Sequence, residues 1–578
     1  MIKIASLVCC LLVFGKFHAQ VDLYTNLVDT LKISNRLGDE LDSIDLAFTI
    51  QSATFPGGGR GNIANTLPID FFNQNYGGVE FRNFSSWHKM KFSSLPHLGF
   101  GYVFGSQGTQ FVSANYQQAF GAKNLLNINY DAMKNNGFLR NSVTNQHDVQ
   151  LQFQRISKIH SMKFKGNYLR KDIGQSGGLV SDSLIDDFGL VFLPVLKSDA
   201  QSRYRGARLQ LENYLDLLTK DSLKATGIYV TNEMRIMNHR YVETGDLIQS
   251  YGQINYDSSS TADQDQLSEL LNGAGIYLKT NRMFFRAGLL SNFWRYSNLG
   301  YLNEVTEIGV DGQIGINIKG VDLKNHTNFN IAGANQEWFS NSSLILPLGK
   351  FKVSGRANFS SLLPEQFQRS YFGNHVQSSI SKLEKQFRSD ILARAAYTFN
   401  QSTNVELNIQ SVNLVNNYFF VNNSWRNDSI GNLNYISVGA KLETGYKILK
   451  VSFRGNFAAG KYVPKYLLQT RICLQGRLFK TRRLLAQIGV EGSVHDKYET
   501  LGYLPMLDAM QFGPTGAFTT PQMANLHVFG GFEIAQFRFF FRVENIGYVW
   551  NESRNELLVG YPIPAMNIRI GITWDFFN

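Results

Sequence analysis

The feature that most constrains this chain is a period of two. From about His97 to the end, segment after segment alternates apolar and polar residues, as strands with two unlike faces do. Val149-Gln150-Leu151-Gln152-Phe153-Gln154 is one such run and Val405-Glu406-Leu407-Asn408-Ile409-Gln410 another. A soluble sandwich alternates too, so connection lengths must decide. Tight turns recur at 121–123, 157–159, 280–282, 319–320, 348–350, 400–403 and 535–536. Between the pairs they create lie longer polar connections, at 135–146, 171–202, 239–271, 363–385, 416–434, 496–522 and 547–564. Sorting of this kind is expected of a membrane barrel, with tight periplasmic turns and long outward loops. A sandwich has no reason to sort its loops.

The expected fold is therefore all-β: a transmembrane antiparallel β-barrel of about 22 strands over residues 97–578. That spacing matches a spanning strand of ~10 residues plus its share of connection. The segments 304–318 and 76–91 fit the pattern less clearly. Hydrocarbon offers no hydrogen-bond partners, so the sheet must close and turn its apolar face to lipid. Charged residues are 17% of the chain and aromatic ones 13%, against roughly 25% charged in soluble proteins. This is too apolar for a disordered chain, and no apolar run is long enough for a spanning helix. Aromatic residues at strand ends (Trp294, Tyr296, Trp338, Phe339 and Trp550) are expected at the membrane interfaces.

Residues 1–19 read as a signal peptide: Lys3, an apolar core over 4–14, then His18-Ala19 before cleavage. A lipidated Cys9 is disfavoured because Ser6-Leu7-Val8 puts no small residue just before it. Cleavage leaves Cys473 alone, so no intramolecular disulfide is expected. With Lys3 and Lys16 gone, 54 basic residues face 45 acidic ones, a net +9. The basic residues do not cluster, and an exported chain has little access to nucleic acid, so that class is set aside. Residues 20–96 are expected to form a periplasmic extension, whose last part up to Pro96 either folds inside the lumen or supplies an extra hairpin. They are too short for a full plug domain and show no energy-coupling box. Within them Pro56-Gly57-Gly58-Gly59-Arg60-Gly61 lacks the phosphate-loop spacing and reads as a flexible turn.

Chemistry is sparse. H-E-x-x-H, G-x-S-x-G and C-x-x-C are all missing from the sequence, and the histidines are scattered one to a segment. The expectation is a protein that is not an enzyme and carries no cofactor or metal. The acidic stretch 257–265 lacks the Gly and terminal Glu of a calcium loop and is expected to be a solvated loop.

The lumen carries the working hypothesis. Period-two phasing places Lys163, Lys165, Arg208, Lys324, Arg388, Arg394, Lys441, Arg454, Arg471, Arg477, Arg538 and Arg542 on the inward face. Glu212, Asp322, Asp390, Glu406, Glu443, Glu491, Glu533 and Glu544 share it. Opposite charges around a water-filled pore select permeants by size and sign; pairing among themselves is the alternative use. A barrel this wide needs a constriction, and 188–196 is too apolar to sit in water. Phe188, Leu190, Phe192 and Leu196 are expected to turn into the lumen or onto a partner protein. The ending NIRIGITWDFFN, with Trp574, Phe576 and Phe577, looks like the signal that barrel-assembly machinery reads.

Gly137-Phe138-Leu139-Arg140-Asn141, then His147-Asp148-Val149 and Gly177-Gly178-Leu179, resemble the putative porin family of Bacteroidetes-type outer membranes. So do Phe541-Arg542-Val543-Glu544-Asn545 and Gly560-Tyr561-Pro562-Ile563-Pro564 before the last strand. A similar ending occurs in TonB-dependent receptors. These motifs mark barrel turns and bring no catalytic or binding residues. The resemblance implies a porin by analogy: an outer-membrane channel, embedded in lipid, for passive diffusion of small hydrophilic solutes. The alternative is a non-conducting structural subunit docked on an outer-membrane protein partner.

Overall fold

The computed structural model describes residues 84–577 apart from short stretches, chiefly 91–94, 182–191, 512–517 and 550–555. The signal peptide, the 56–61 turn, most of the N-terminal extension, Trp550, Phe188 and Leu190 lie outside the described residues.

Twenty-two antiparallel strands close into one barrel. The first wall comprises β1 (His97–Gly105), β2 (Thr109–Phe120), β3 (Asn124–Asn135), β4 (Thr144–Ile156), β5 (His160–Gly174), β6 (Gln201–Asp221) and β7 (Lys224–Thr244). Next come β8 (Ser260–Lys279), β9 (Met283–Asn298), β10 (Tyr301–Ile318), β11 (Val321–Ala332), β12 (Trp338–Leu348), β13 (Phe351–Leu362), β14 (Gln386–Asn400) and β15 (Thr403–Val415). The ring is completed by β16 (Leu433–Tyr446), β17 (Leu449–Gly460), β18 (Tyr466–Leu478), β19 (Leu484–His495), β20 (Met523–Ile534), β21 (Phe537–Glu544) and β22 (Asn567–Phe577). The seam joins β22 to β1, running from His97↔Phe577 to Gly105↔Arg569. It removes the last open edge.

Connection lengths sort as expected. At one end two- to five-residue turns join the strands; Lys319 (φ 53°) and Gly320 (φ 86°) make one of them. Positive φ at both central residues is the turn whose twist matches a hairpin. The other end carries the long connections, 136–143, 175–200, 245–259, 363–385, 416–432, 496–522 and 545–566, along with four short ones at 106–108, 299–300, 333–337 and 461–465. In outer-membrane barrels this is the outer end.

The ambiguous segment 304–318 is a strand, β10. The expected loop 239–271 shrinks to 245–259, because β7 and β8 extend beyond the ~10 residues that a bilayer needs. Asp263 and Asp265 consequently sit in β8, buried, and not in a solvated loop. Asp265 accepts from His239 Nδ1 at 2.9 Å, and Asp263 from the Asn374 N–H at 2.9 Å.

Burial follows phase. Gln150, Gln152 and Gln154 are buried, whereas Val149 and Leu151 on the same strand are exposed, as are Leu407, Ile409, Ile436 and Val438. Exposed aliphatic rows around a closed sheet are the surface that lipid covers. Trp574 and Phe576 lie on that outer face, stacked at 4.6 Å. Phe577 ends β22. Trp338 is also on the outer face, but Trp294 and Tyr296 are not in an interfacial belt. Both are buried inside the mouth, because β9 rises far enough for its inner face to meet packed loops.

Candidate functional site in the barrel lumen

Strand registers bring the inward positions into rows. Lys165 pairs with Gln210, Arg208 with Arg235, Arg394 with Asn408, Lys441 with Arg454, and Arg471 with Glu491. All twelve basic positions read from the sequence share the inner face, and among the described residues at least seven have a carboxylate within 4.0 Å. Lys165 faces Glu212 at 4.0 Å and Arg208 faces Glu233 at 2.8 Å. Lys324 meets Asp322 at 3.0 Å, Arg394 meets Glu406 at 3.7 Å and Lys441 pairs with Glu443. Arg538 and Arg542 reach Glu533 at 3.0 Å and Glu491 at 3.2 Å. Lys163, Arg388, Arg454, Arg471 and Arg477 complete the set; the Arg471 guanidinium lies 4.2 Å from the Phe529 ring centre. Like charges do face one another across strands, as in Arg208–Arg235 and Lys441–Arg454, and Glu233 bridges the first of these pairs.

Phasing alone did not bring out other members of the rows. Arg286 bonds Asp311 at 3.0 Å, Arg235 reaches Glu269 at 3.1 Å, Arg356 reaches Asp390 at 3.2 Å, and Arg569 reaches Glu544 at 3.1 Å. Asp311 and Glu269 fell in stretches that looked ambiguous or loop-like. Arg356 keeps phase with Ser354 and Asn358 and was findable.

The lumen is unevenly filled. Around β19–β22 the inner wall is sealed, with Arg542 at 0% exposure and Arg569 at 1%. Along β3–β7 the segment before the barrel lies against the wall. Met90 packs on Ala119, Leu125 and Ile156 near the turn end. His88 donates its N–H to Gln150 Oε1 at 3.0 Å, and its carbonyl accepts from Gln152 at 2.8 Å. Trp87 lies between Lys165 and Arg208, 5.2 and 5.0 Å from its ring centre. Phe84 sits over Gly206, where a Cβ would come within 2.9 Å of its ring. This stretch climbs the inside of the barrel from the turn end. Opposite, along β11–β16, the charges meet solvent: the Lys324 side chain is 66% exposed and that of Arg394 50%.

The outer mouth is closed by packed side chains. One buried cluster joins wall residues Leu169 and Tyr204 to Val412 and Tyr435, about ten strands away around the ring. Between them come Leu139, Leu179, Leu193, Phe419, Tyr503 and Tyr561 from five different connections. Backbone bonds tie these loops together: Leu179 N–H to Gly560 O at 2.8 Å, and Phe420 paired with Gln511. A second cluster gathers Trp294, Tyr296, Phe367, Tyr371, Tyr418 and Trp425. In the 175–200 loop, Leu179, Leu193 (0% exposed) and Val195 make inward contacts among the described residues. Phe192 and Leu196 face out instead, at 82% and 61% exposure. Around the isolated bridge Leu179↔Val195, alternate residues take opposite sides.

Polar groups lock the cap as well. Lys197 bonds Glu243 at 2.9 Å, and burial holds its ammonium below its ordinary value. His375 stacks on Tyr251 at 3.7 Å between ring centres and bonds Thr261 at 2.7 Å. Burial lowers its pKa too, so the ring is neutral at pH 7.

The chain matches the family described as putative porin over residues 92–578. No curated protein matches it significantly. Among solved structures it resembles the FrpB iron transporter of Neisseria meningitidis (F5-1 variant; TM-score 0.59, 8% identity, 84% of this chain and 83% of that one). A mutant ferric enterobactin receptor, PfeA, of Pseudomonas aeruginosa gives 0.57 at 10% identity over 84% and 81%. BauA, the ferric preacinetobactin receptor of Acinetobacter baumannii, gives 0.52 at 9% over 84% and 80%. At such identities the likeness is one of fold. On the extent of the family match, the chain belongs to the putative porin family, whose barrels serve transport across the outer membrane.

Proposed function

We propose that the protein is a passive channel for small hydrophilic solutes, closed at its outer mouth by a loop cap that must part for solute to pass. The observation that carries this reading is the solvent-exposed row of charges along β11–β16, inside a sheet whose other face exposes aliphatic side chains such as Ile391, Leu407 and Ile436. Such a surface has no use in lipid and none in a dry core, but it suits a water path. Liposome swelling tests it directly. Purified protein should let small sugars enter vesicles, and faster swelling should follow when the cap is weakened by Leu193→Asp. No swelling by either protein would sink the channel. Basic residues outnumber acidic ones on the inner face, so a slight anion preference is expected. A strongly cation-selective reversal potential in a planar bilayer would contradict that part.

A second reading has its own support. The packed mouth and the Phe84–Trp87 contacts also suit a non-conducting subunit of an outer-membrane assembly, docked through the exposed Phe192 and Leu196. Co-purification of a partner that is lost on Phe192→Ser, with no swelling by wild type, would favour it.

A further inference from the structure

We infer that the inner wall of β10–β13 carries a binding site for a small polyhydroxylated anion of the sugar-phosphate class. It rests on the lumen being reached by solutes and goes further, naming the class that would pause there. Two in-register rows build the site. In one, Lys324 pairs with Ser343 and Ser343 with Arg356, so the two cations stand on either side of a small hydroxyl residue. Their strands lie roughly 9–10 Å apart, two strand spacings. In the next row towards the outer end, His326 pairs with Asn341 and Asn341 with Asn358. Both rows line one cavity of about 390 Å³, with Phe284 at its border. That lies within the roughly 300–1,000 Å³ of ordinary ligand pockets.

The donors are aimed but not used up. Arg356 gives one contact to Asp390 at 3.2 Å, and its side chain stays 49% exposed. A guanidinium has five donors, so several remain for a ligand. Lys324 gives one contact to Asp322 at 3.0 Å, leaving two of its three protons. His326 is fixed by Asp311 at 2.6 Å and by the edge of Phe339. No hydrogen-bond partner is seen for the side chains of Asn341, Ser343 and Asn358 among the described residues. Elsewhere on the inner wall the polar side chains bond one another, as Asn115 does Asn127 at 2.8 Å. An anionic group fits between Lys324 and Arg356, and ring hydroxyls meet the asparagine row.

Isothermal titration calorimetry on the full chain in detergent tests this, with glucose 6-phosphate, glucose and inorganic phosphate as probes. Glucose 6-phosphate should bind at least ten-fold tighter than either other probe. The double variant Lys324→Met/Arg356→Met should lose at least ten-fold, and Lys461→Met, at an exposed side chain just after β17, should lose nothing. Heat-modifiable migration on gels confirms that each variant is a folded barrel. Wild type that ignores glucose 6-phosphate, or a double variant that binds it unchanged, overturns the site. Swelling separates this from the channel reading: binding without swelling keeps the site and sinks the channel, and swelling without binding does the reverse.

Discussion

Arg542 is a fully buried cation on the inner wall, held by Glu491 at 3.2 Å and Glu544 at 3.5 Å. Removing it would take one cation from the buried Glu544, which keeps Arg569, and from the partly buried Glu491, and breaking a buried pair costs up to about 3–5 kcal/mol. Arg542→Ala should therefore lower the urea midpoint of the purified barrel. Arg394→Ala, at a half-exposed pair, should cost only about 0–1 kcal/mol. Equal effects would show that the sealed wall is no more demanding than the open one. His375 gives a pH prediction in the cap. It faces Thr261, the Gln253 carbonyl and the Tyr251 ring, with Glu243 and Lys197 near. Burial lowers its folded pKa below the usual 6.5, so its contribution is complete above pH 6.5. The contribution is lost as pH falls through the folded value. Limited proteolysis of the outer loops should accelerate below pH 6 in wild type, and His375→Ala should flatten that dependence. Gly206→Leu would fill the space under Phe84 and should free the stretch from 84 to 90, which protease access would report.

The seam between β22 and β1 is the element on which closure depends. Truncation before Trp574 removes the pairs from His97↔Phe577 to Phe100↔Trp574. The truncated chain should appear as protease-sensitive material without heat-modifiable migration. A stable truncated barrel would mean that the terminal aromatics serve neither closure nor assembly. At this scale the sequence was most readable. Strand phase survives because lipid and lumen demand opposite chemistry at every second residue. Tight turns announce themselves through pairs such as Lys319-Gly320. Less was legible where strands leave the membrane. Residues 260–271 read as loop because β8 above the bilayer has packed loops, and not lipid, against it, so the demand for alternation lapses. Trp294 and Tyr296 were misplaced in an interfacial belt for the same reason. In the 175–200 loop, an apolar stretch announced burial but not which alternate residues would be buried. That was decided by the Leu179↔Val195 bridge.

A 22-stranded ring is roughly 40 Å across at the backbone, far wider than any small solute needs. The molecule narrows it from three sides: the sealed wall of β19–β22, the Phe84–Met90 stretch against β3–β7, and the loop cap. What remains is a wall of exposed charged side chains along β11–β16, beneath the cap. None of this closure was readable from periodicity, since it is assembled from loops and walls far apart in sequence. The most direct measurement is a planar-bilayer recording of wild type beside Leu193→Asp, a charge placed at the centre of the cap. A cap that must part should give brief, infrequent openings in wild type and long-lived openings of larger summed conductance in the variant. Silence from a folded, inserted Leu193→Asp barrel would contradict it.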